Sequence, residues 1–324
     1  MSDEPRPSGS SGRSRLRRRA LAGGVTILAV ACAVAGAGTG ALPGVAEWRP
    51  LSALRGPVGE EVTGLSAPPP ARAAPGALAA HAERLERAER RRVTAARTWG
   101  LRAVPLRPPA PPKRKPALST ESGHLKGPGL PPVITRVPTG DKVVFLTIDD
   151  GAEKDDRLLE MMRQLDVPYS SFLADYVARD DYDYFRKAHR NGSAVHNHSV
   201  NHREMNKLPY REQRREICRQ QDILEREIGE RPELFRPPYG AYNTDTLRAA
   251  RDCGVRVVPL WAEEAFPDRI EYGRADRRLH PGDIVLSHFR GRGEWDGDMP
   301  AMVRRVVDTA TAQGFAIARL EDYI

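Results

Sequence analysis

Two short segments of the chain carry side chains that could bind a metal ion. Asp149 and Asp150 lie side by side at the end of a predicted strand, and His198 and His202 follow later in the chain. Histidines four residues apart lie on one face of a helical turn. Two imidazoles and one carboxylate form the ligand set of a catalytic zinc site, which keeps a position open. One carboxylate would remain free for proton transfer, so the pattern indicates a metal-dependent hydrolase.

The other candidate residues also follow predicted strands. Arg236-Pro237-Pro238-Tyr239-Gly240 is a rigid turn, because prolines fix the backbone, and such a turn can aim N–H groups at an oxyanion. His288 is a candidate general acid, since an imidazole titrates near neutral pH. We interpret His196 as a supporting residue. The carboxyl ends of parallel strands open on one face of an α/β barrel, so we expect these residues to meet there.

Each signal also has a structural explanation. Asp150 could cap the helix that follows it, and two histidines at this spacing are often only solvated polar residues. The combination of the acids with the histidines is what favours a metal site. A nucleophilic Ser287–His288 pair is not indicated, because adjacent strand residues point apart and the sequence has no nucleophile elbow.

From Val133 onward, predicted strands alternate with helices. The strands are Lys142–Ile148, Tyr169–Ala174, Ser193–His198, Leu234–Pro237, Val255–Trp261, Asp283–His288 and Phe315–Leu320. The helices are Lys154–Leu165, Tyr182–Asn191, Tyr210–Ile228, Thr244–Cys253 and Met299–Gln313. This alternation predicts an α/β fold with parallel strands and helical crossovers. Seven strands suit an open sheet or a barrel one strand short of eight.

The N-terminal segment differs from the rest of the chain. Five arginines (Arg13, Arg15, Arg17, Arg18 and Arg19) precede the uncharged stretch Ala20–Ala46. Residues 1–46 are therefore predicted to be a basic cytoplasmic n-region followed by a signal peptide or a single membrane anchor. In both cases we expect the remainder to be extracellular, either secreted or tethered to the membrane.

Residues 47–135 are rich in Pro, Ala and Arg, and they predict a largely disordered spacer with a short charged helix at 81–99. Residues 136–324 form the predicted folded domain.

Residues 1–140 contain 22 Lys and Arg against 9 Asp and Glu, and the remainder contains 29 against 34. Because the basic charge lies outside the folded domain, we expect no nucleic-acid binding. We expect the N-terminal part to contact a cell wall or membrane surface, and the alternative is a solvated disordered tail. We expect a monomer.

Three cysteines are present: Cys32, Cys218 and Cys253. The chain has no C-x-x-C motif, so a cysteine metal site is not indicated. In an oxidising compartment Cys218 and Cys253 would be able to pair. The alternative is two buried free thiols, and the sequence leaves both open.

Four motifs of the folded domain resemble those of the NodB-type polysaccharide deacetylases, carbohydrate esterase family 4. Thr147–Gly151 is similar to the family's T-F-D-D-G, with Ile148 in place of Phe, and His198–His202 is similar to H-S/T-x-x-H. Arg236–Gly240 is similar to R-x-P-Y-G, and Leu286–His288 to L-x-H. The resemblance implies a deformed (β/α)7 barrel of the TIM type. It also implies metal-assisted removal of N-acetyl, or sometimes O-acetyl, groups from a polysaccharide.

The resemblance implies a role for each motif residue. Asp150, His198 and His202 would bind one divalent ion, with zinc as the first choice and cobalt or nickel as alternatives. Asp149 would be the general base, oriented by Arg236.

The leaving group and the substrate would contact other residues. His288 would protonate the leaving amine, and the backbone N–H of Tyr239 would stabilise the oxyanion. The residues expected to contact substrate are Pro238, Tyr239, Trp261, Glu264 and Leu286.

One segment departs from the family pattern. The family carries D-x-x-D-W after the fifth strand, where the first acid holds the arginine, whereas this chain has Trp261-Ala262-Glu263-Glu264-Ala265-Phe266. We expect Glu264 to replace that acid and Phe266 to supply part of the missing wall. We expect this departure to affect which substrate is bound and how fast it is turned over, and to leave the metal site unchanged.

The sequence therefore predicts a metal-dependent polysaccharide deacetylase. Peptidoglycan ranks first as substrate, followed by chitin-like oligomers and acetylated xylan. Two alternatives stay open: a non-catalytic glycan-binding barrel, suggested by the altered segment, and a hydrolase of non-sugar C–N bonds.

Overall fold

The computed structural model describes residues 75–324. The predicted signal peptide or anchor, the first part of the spacer and Cys32 lie outside these residues. Within residues 75–324, no helix combines the length and the apolar character needed to cross a bilayer.

A mainly parallel sheet forms the centre of the structure. Its strands are β1 (Val133–Ile134), β2 (Val143–Asp150), β3 (Ser170–Leu173), β4 (Ala194–Asn197), β5 (Val258–Pro259), β6 (Glu263–Ala265), β7 (Ile270–Tyr272), β8 (Ile284–His288) and β9 (Ala316–Ile317). The larger sheet has the order β4-β3-β2-β8-β6-β7, with β9 also paired to β2, and β1 pairs with β5. Among these strand pairs of residues 75–324, only the β6–β7 pair is antiparallel.

Single bridges continue this sheet into a ring. Asn197 at the end of β4 pairs with Phe235, and Leu234 pairs with Val257 beside β5. The N–H of Ala262 then donates to the carbonyl of Ile284 in β8. The strands therefore close into an irregular α/β barrel.

The seven predicted strands all have counterparts in this ring. The predicted strand Leu234–Pro237 is reduced to two bridges, because Pro237 and the following Pro238 have no N–H to donate. Neither β1 nor the β6–β7 hairpin was predicted from the sequence.

Helices cover the outside of the barrel. They are α1 (Pro75–Thr98), α2 (Asp156–Leu165), α3 (Asp175–Ala178), α4 (Tyr182–Arg190), α5 (Tyr210–Ile228), α6 (Thr244–Asp252) and α7 (Met299–Ala312). Within the described part of the chain, short 3-10 turns occur at Met205–Lys207, Pro238–Gly240 and Leu320–Asp322. The side chain of Asp155 accepts a hydrogen bond from the N–H of Arg157 and so caps α2. Asp150 is therefore not the cap of this helix.

The central strand β2 is buried on both faces, which explains its continuous apolar run. Val144, Leu146 and Ile148 pack outward against the helices, in a cluster that also contains the buried residues of α2 and α7. Phe145 belongs to the inner cluster of the barrel. Because strand side chains alternate, Asp149 shares the inner face with Phe145.

The helix α1 begins earlier than the predicted helix at 81–99 and packs against the barrel at its C-terminal end. Ala95 and Ala96 are buried. Arg92 is 4% exposed, and its guanidinium donates to the carbonyls of Leu165 at 3.1 Å and Pro105 at 2.7 Å. The part of the predicted spacer that forms α1 is therefore ordered, and the buried guanidinium of Arg92 has backbone acceptors.

A disulfide bond joins Cys218 in α5 to Cys253 at the end of α6. The Cα atoms of the two residues lie 4.9 Å apart. Of the two alternatives left open by the sequence, the structure shows the paired one.

Candidate active site

The two acids at the end of β2 reach the same pocket by different backbone conformations. Asp149 continues the inner face of the strand and is 2% exposed. Asp150 would point outward in a regular strand, but its φ of 76° turns the chain at this point. Both carboxylates therefore lie at the mouth of the barrel, as the sequence predicted for a strand end.

The three predicted metal ligands converge. One ligand atom from each of Asp150, His198 and His202 lies within 4.8 Å of the others. Oδ1 of Asp150 is 3.2 Å from Nε2 of His202 and 3.6 Å from Nε2 of His198. This Oδ1 atom is buried and has no hydrogen-bond partner in the described part of the chain. A buried carboxylate oxygen left without a donor, facing two imidazole nitrogens, fits a divalent cation.

The orientation of His198 fits the same role. Its Nδ1–H donates to the carbonyl of Arg236 at 2.7 Å, which leaves Nε2 directed at the carboxylates. Such a bond fixes the tautomer of a metal-binding histidine. Burial lowers the pKa of His198 to about 3, although the Asp150 carboxylate opposes this shift. The ring is therefore neutral at physiological pH and has a lone pair to offer.

The charge of Asp150 also suits a ligand. Burial by itself would raise the pKa of Asp150, but the contact with His202 and the neighbouring histidines His198 and His288 outweigh it and hold the pKa well below its ordinary value. Asp150 is thus ionised.

Arg236 holds the second acid. Its guanidinium is fully buried and donates to Oδ1 of Asp149 at 2.7 Å. Burial raises the pKa of Asp149 to about 7, with Arg236 opposing the shift and Asp150 adding to it. Oδ2 of Asp149 remains 3.6 Å from Nε2 of His198. One oxygen of Asp149 is therefore fixed by Arg236, and the other faces the candidate metal site.

The prediction that Glu264 holds Arg236 is wrong. The remaining guanidinium N–H groups donate to the Thr147 hydroxyl at 2.9 Å and to the carbonyls of Pro259 and Leu260 at 2.9 and 3.1 Å. Backbone oxygens thus take the place of the expected acid, which no side-chain motif could have revealed.

Glu264 instead faces His288. Its Oε1 lies 3.5 Å from Nδ1 of His288, and burial raises the pKa of Glu264. His288 is the register partner of Asp149 across the β2–β8 pair, so the two residues border the mouth from adjacent strands. Burial lowers the pKa of His288 to about 4, and the charge of Asp150 opposes the shift.

Unusual backbone conformations concentrate at this mouth. Residues 198–202, hereafter the histidine loop, contain Ser199 at φ 70° and His202 at φ 51°. Tyr239 has φ 60°. With Asp150, these make four of the six non-glycine residues with positive φ in residues 75–324. Such conformations are costly and cluster at functional sites.

The residues expected to contact substrate differ in accessibility. Tyr239 is 68% exposed, and the centroid of its ring lies 4.7 Å from that of the His202 ring. Trp261 and Glu264 are partly buried. Pro238 and Leu286 are buried.

Two residues of the barrel mouth were not predicted from the sequence. Tyr176 is 47% exposed, and its ring lies 6.1 Å from that of His202. Arg290 places a guanidinium nitrogen 3.4 Å from Oδ2 of Asp150. Tyr176 follows the end of β3 and Arg290 follows the end of β8, so the rule that strand ends supply the site would have found both.

The chain is similar to a known protein family and to several known proteins. A family model described as polysaccharide deacetylase matches residues 136–258. An uncharacterised protein of Streptomyces coelicolor is 41% identical over 206 residues, which are 61% of this chain and 80% of that protein. The peptidoglycan-N-acetylglucosamine deacetylase of Bacillus cereus is 25% identical over 173 residues, 51% of this chain and 62% of that protein.

Solved structures show the same fold. A peptidoglycan N-acetylglucosamine deacetylase called Bc1960 superposes with a TM-score of 0.53 at 22% identity, over 59% of this chain and 92% of that one. A family 4 carbohydrate esterase pseudoenzyme from Bacillus anthracis gives a TM-score of 0.52 at 23% identity, over 60% and 69%.

Proposed function

The chain belongs to the polysaccharide deacetylase family and is a deacetylase of the hydrolase class, and we propose that it removes N-acetyl groups from an extracellular polysaccharide. O-acetyl groups are the alternative. The observation that carries the proposal is the open Oδ1 of Asp150, which faces His198 and His202 beside a separate, arginine-held Asp149.

Asp150, His198 and His202 would hold one divalent ion, with zinc as the first choice because two nitrogens and one oxygen suit it. When bound, this ion supplies Lewis acidity for the acetyl carbonyl. The remaining steps fall to residues of the chain itself.

Asp149 is the general base of the proposed reaction. Arg236 fixes Oδ1 and leaves Oδ2 directed at the site. Because the buried guanidinium holds the carboxylate in one orientation, Oδ2 is the atom positioned to accept the proton.

His288 is the proposed general acid that protonates the leaving amine. Because burial lowers its pKa to about 4, its ring is neutral before the reaction and takes up the donated proton during it. It lies beside Asp149 in register, and Glu264 is 3.5 Å from its Nδ1. The N–H of Tyr239 is proposed to stabilise the oxyanion, and the positive φ of this residue supports a role for its backbone.

Peptidoglycan ranks first among the proposed substrates, followed by chitin-like oligomers and acetylated xylan. Relatives named for peptidoglycan-N-acetylglucosamine and peptidoglycan-N-acetylmuramic acid deacetylation support this order, and a chitooligosaccharide deacetylase supports the second choice. The exposed rings of Tyr239 and Tyr176 flank His202, and aromatic faces at a pocket mouth suit the apolar faces of sugar rings.

We propose an extracellular location, either secreted or membrane-tethered, from the predicted signal or anchor segment. The Cys218–Cys253 disulfide supports an oxidising compartment.

Acetate release tests the function. Protein loaded with zinc or cobalt should release acetate from acetylated peptidoglycan fragments, with mass spectrometry reporting each lost acetyl group. Asp149→Asn should reduce turnover by about a thousandfold, because the base is lost, while the metal content stays near stoichiometric.

Loss of metal together with activity in Asp149→Asn would assign Asp149 to the ligand set instead. Glycan binding without acetate release from any acetylated glycan would favour the binding-barrel alternative. Acetate release from small amides but not from glycans would favour a hydrolase of non-sugar substrates.

A further inference from the structure

The histidine loop lies against the helix α5, and one buried acid of that helix joins them. Glu216 is 6% exposed. Its Oε2 accepts the N–H of Asn201 at 2.8 Å, and its Oε1 accepts the side-chain amide of Asn201 at 2.7 Å. Both oxygens of this carboxylate are thus used by a residue that sits between two candidate metal ligands.

This loop needs external support. Ser199 and His202 both adopt positive φ, which is unfavourable for residues with a side chain and persists only where the surroundings determine it. Two hydrogen bonds within residues 197–202 contribute. Asn197 Oδ1 accepts the N–H of Ser199 at 2.8 Å, and the Ser199 hydroxyl accepts the N–H of His202 at 3.0 Å. These bonds leave Asn201, at the outer part of the loop, to be held by Glu216.

The helix that carries Glu216 is itself tied to the strands and to α6. The side-chain amide of Asn197 donates to Gln221 at 2.9 Å. Gln220 donates to a carbonyl at the end of β3 at 2.8 Å. The Cys218–Cys253 bond anchors the same stretch of α5 to α6. Glu216 therefore projects from a fixed support.

We propose that Glu216 is a positioning residue for the metal, acting through Asn201 to keep His198 and His202 in their binding geometry before the metal arrives. The inference rests on the proposed function because it assumes that these histidines bind a metal. A preformed site loses less conformational entropy when the ion binds, so the clamp raises metal affinity. Supporting residues of this kind typically change metal affinity by roughly 10–100-fold when mutated.

Metal affinity measured by chelator competition tests the proposal without using activity. Glu216→Ala removes both acceptors and should weaken zinc and cobalt binding by about tenfold or more. Glu216→Gln should bind within about threefold of the wild type, because one amide oxygen accepts the Asn201 N–H and a rotated Asn201 amide accepts from the new NH₂ group. The visible absorption of the cobalt protein should change in Glu216→Ala and be restored in Glu216→Gln.

Glu225→Ala is the matched control. Glu225 lies on the same helix, is solvent-exposed and pairs with Arg231 at 2.6 Å. This variant should leave metal affinity unchanged. Asn201→Ala serves as a second variant if Glu216→Ala does not fold, and it should weaken binding by severalfold, since one of the two bonds is lost.

The outcomes are distinct from those that test the function. Wild-type protein that binds no metal contradicts the proposed function. Wild-type binding with unchanged affinity and cobalt spectrum in both Glu216→Ala and Asn201→Ala overturns the positioning role, even if the thermal stability of these variants falls.

Discussion

His196 and His198 lie close together along the chain, yet they occupy different environments. His196, within β4, uses Nε2 to donate to Glu321 at 2.8 Å. The same Glu321 oxygen also accepts the Ser170 hydroxyl at 2.6 Å. His198, just beyond the strand, uses Nδ1 to donate to a backbone carbonyl and directs Nε2 at two carboxylates 3.6 Å away.

The difference lies in what each open ring nitrogen faces. Nδ1 of His196 has no hydrogen-bond partner within residues 75–324, and the ring packs 5.2 Å from that of Phe172. Nε2 of His198 faces a pocket of acids and a second imidazole. The partner of His196 is Glu321, whose oxygen is already hydrogen-bonded, so this histidine stabilises the fold. His198 faces Oδ1 of Asp150, which has no hydrogen-bond partner in the described residues, so this histidine is positioned to bind a ligand.

Replacing each histidine in turn tests this comparison most strongly. His198→Ala should abolish stoichiometric metal binding and lower turnover by about a thousandfold or more, because a ligand is lost. His196→Ala should keep metal affinity within about threefold and lower the melting temperature instead. Metal analysis of the purified variants and thermal unfolding give both results. Equal loss of metal from the two variants would remove the distinction.

Glu321 offers a pH test of the interior cluster. Burial opposes ionisation of Glu321, but the bonds from His196 and Ser170 prevail and lower its pKa from 4.5 to about 2. Because the folded pKa is the lower one, this group stabilises the fold above about pH 4.5, and its contribution is lost as the pH falls toward 2.

Glu321→Gln should therefore reduce the free energy of unfolding by about 1–2 kcal/mol at pH 7, and the difference from the wild type should narrow below about pH 3. Denaturant unfolding across this range measures it, with Glu225→Gln on the surface of α5 as control. A difference that does not change with pH would show that the ionised carboxylate contributes nothing.

Tyr176 lies at the barrel mouth, on the same side of the comparison as His198. Its loss should weaken substrate binding and leave the stability of the fold unchanged. Tyr176→Ala should raise KM for an acetylated oligosaccharide about fivefold, since a stacking contact of about 1 kcal/mol is lost. Tyr176→Phe keeps the ring and should behave as the wild type, and the melting temperature should stay the same in both. A lower kcat with unchanged KM would place Tyr176 in the chemistry and not in binding.

The sequence was informative where a residue type and a strand end coincide. Asp149, Asp150, His198 and His288 were found because each follows an apolar run, and a parallel α/β fold brings such ends together. Period-2 alternation puts Asp149 on the same face of β2 as Phe145, and the structure shows that this face is the inner one.

Other features depend on contacts that one sequence does not display. The positive φ of Asp150 is a local backbone conformation that the sequence does not reveal. Two of the acceptors of Arg236 are backbone carbonyls, which no sequence motif marks. For this reason Glu264 was wrongly predicted to be the partner of Arg236. The hairpin that carries Glu264 was missed because its strands β6 and β7 are only three residues long and contain charged residues.

A crystal structure of the zinc-loaded protein, with anomalous differences collected at the zinc edge, addresses the metal site directly. We predict one peak bonded to Oδ1 of Asp150 and Nε2 of both His198 and His202 at about 2.0–2.2 Å, with Asp149 unbound and still paired to Arg236. A peak elsewhere, or a zinc ion coordinated by Asp149 in place of Asp150, would contradict it.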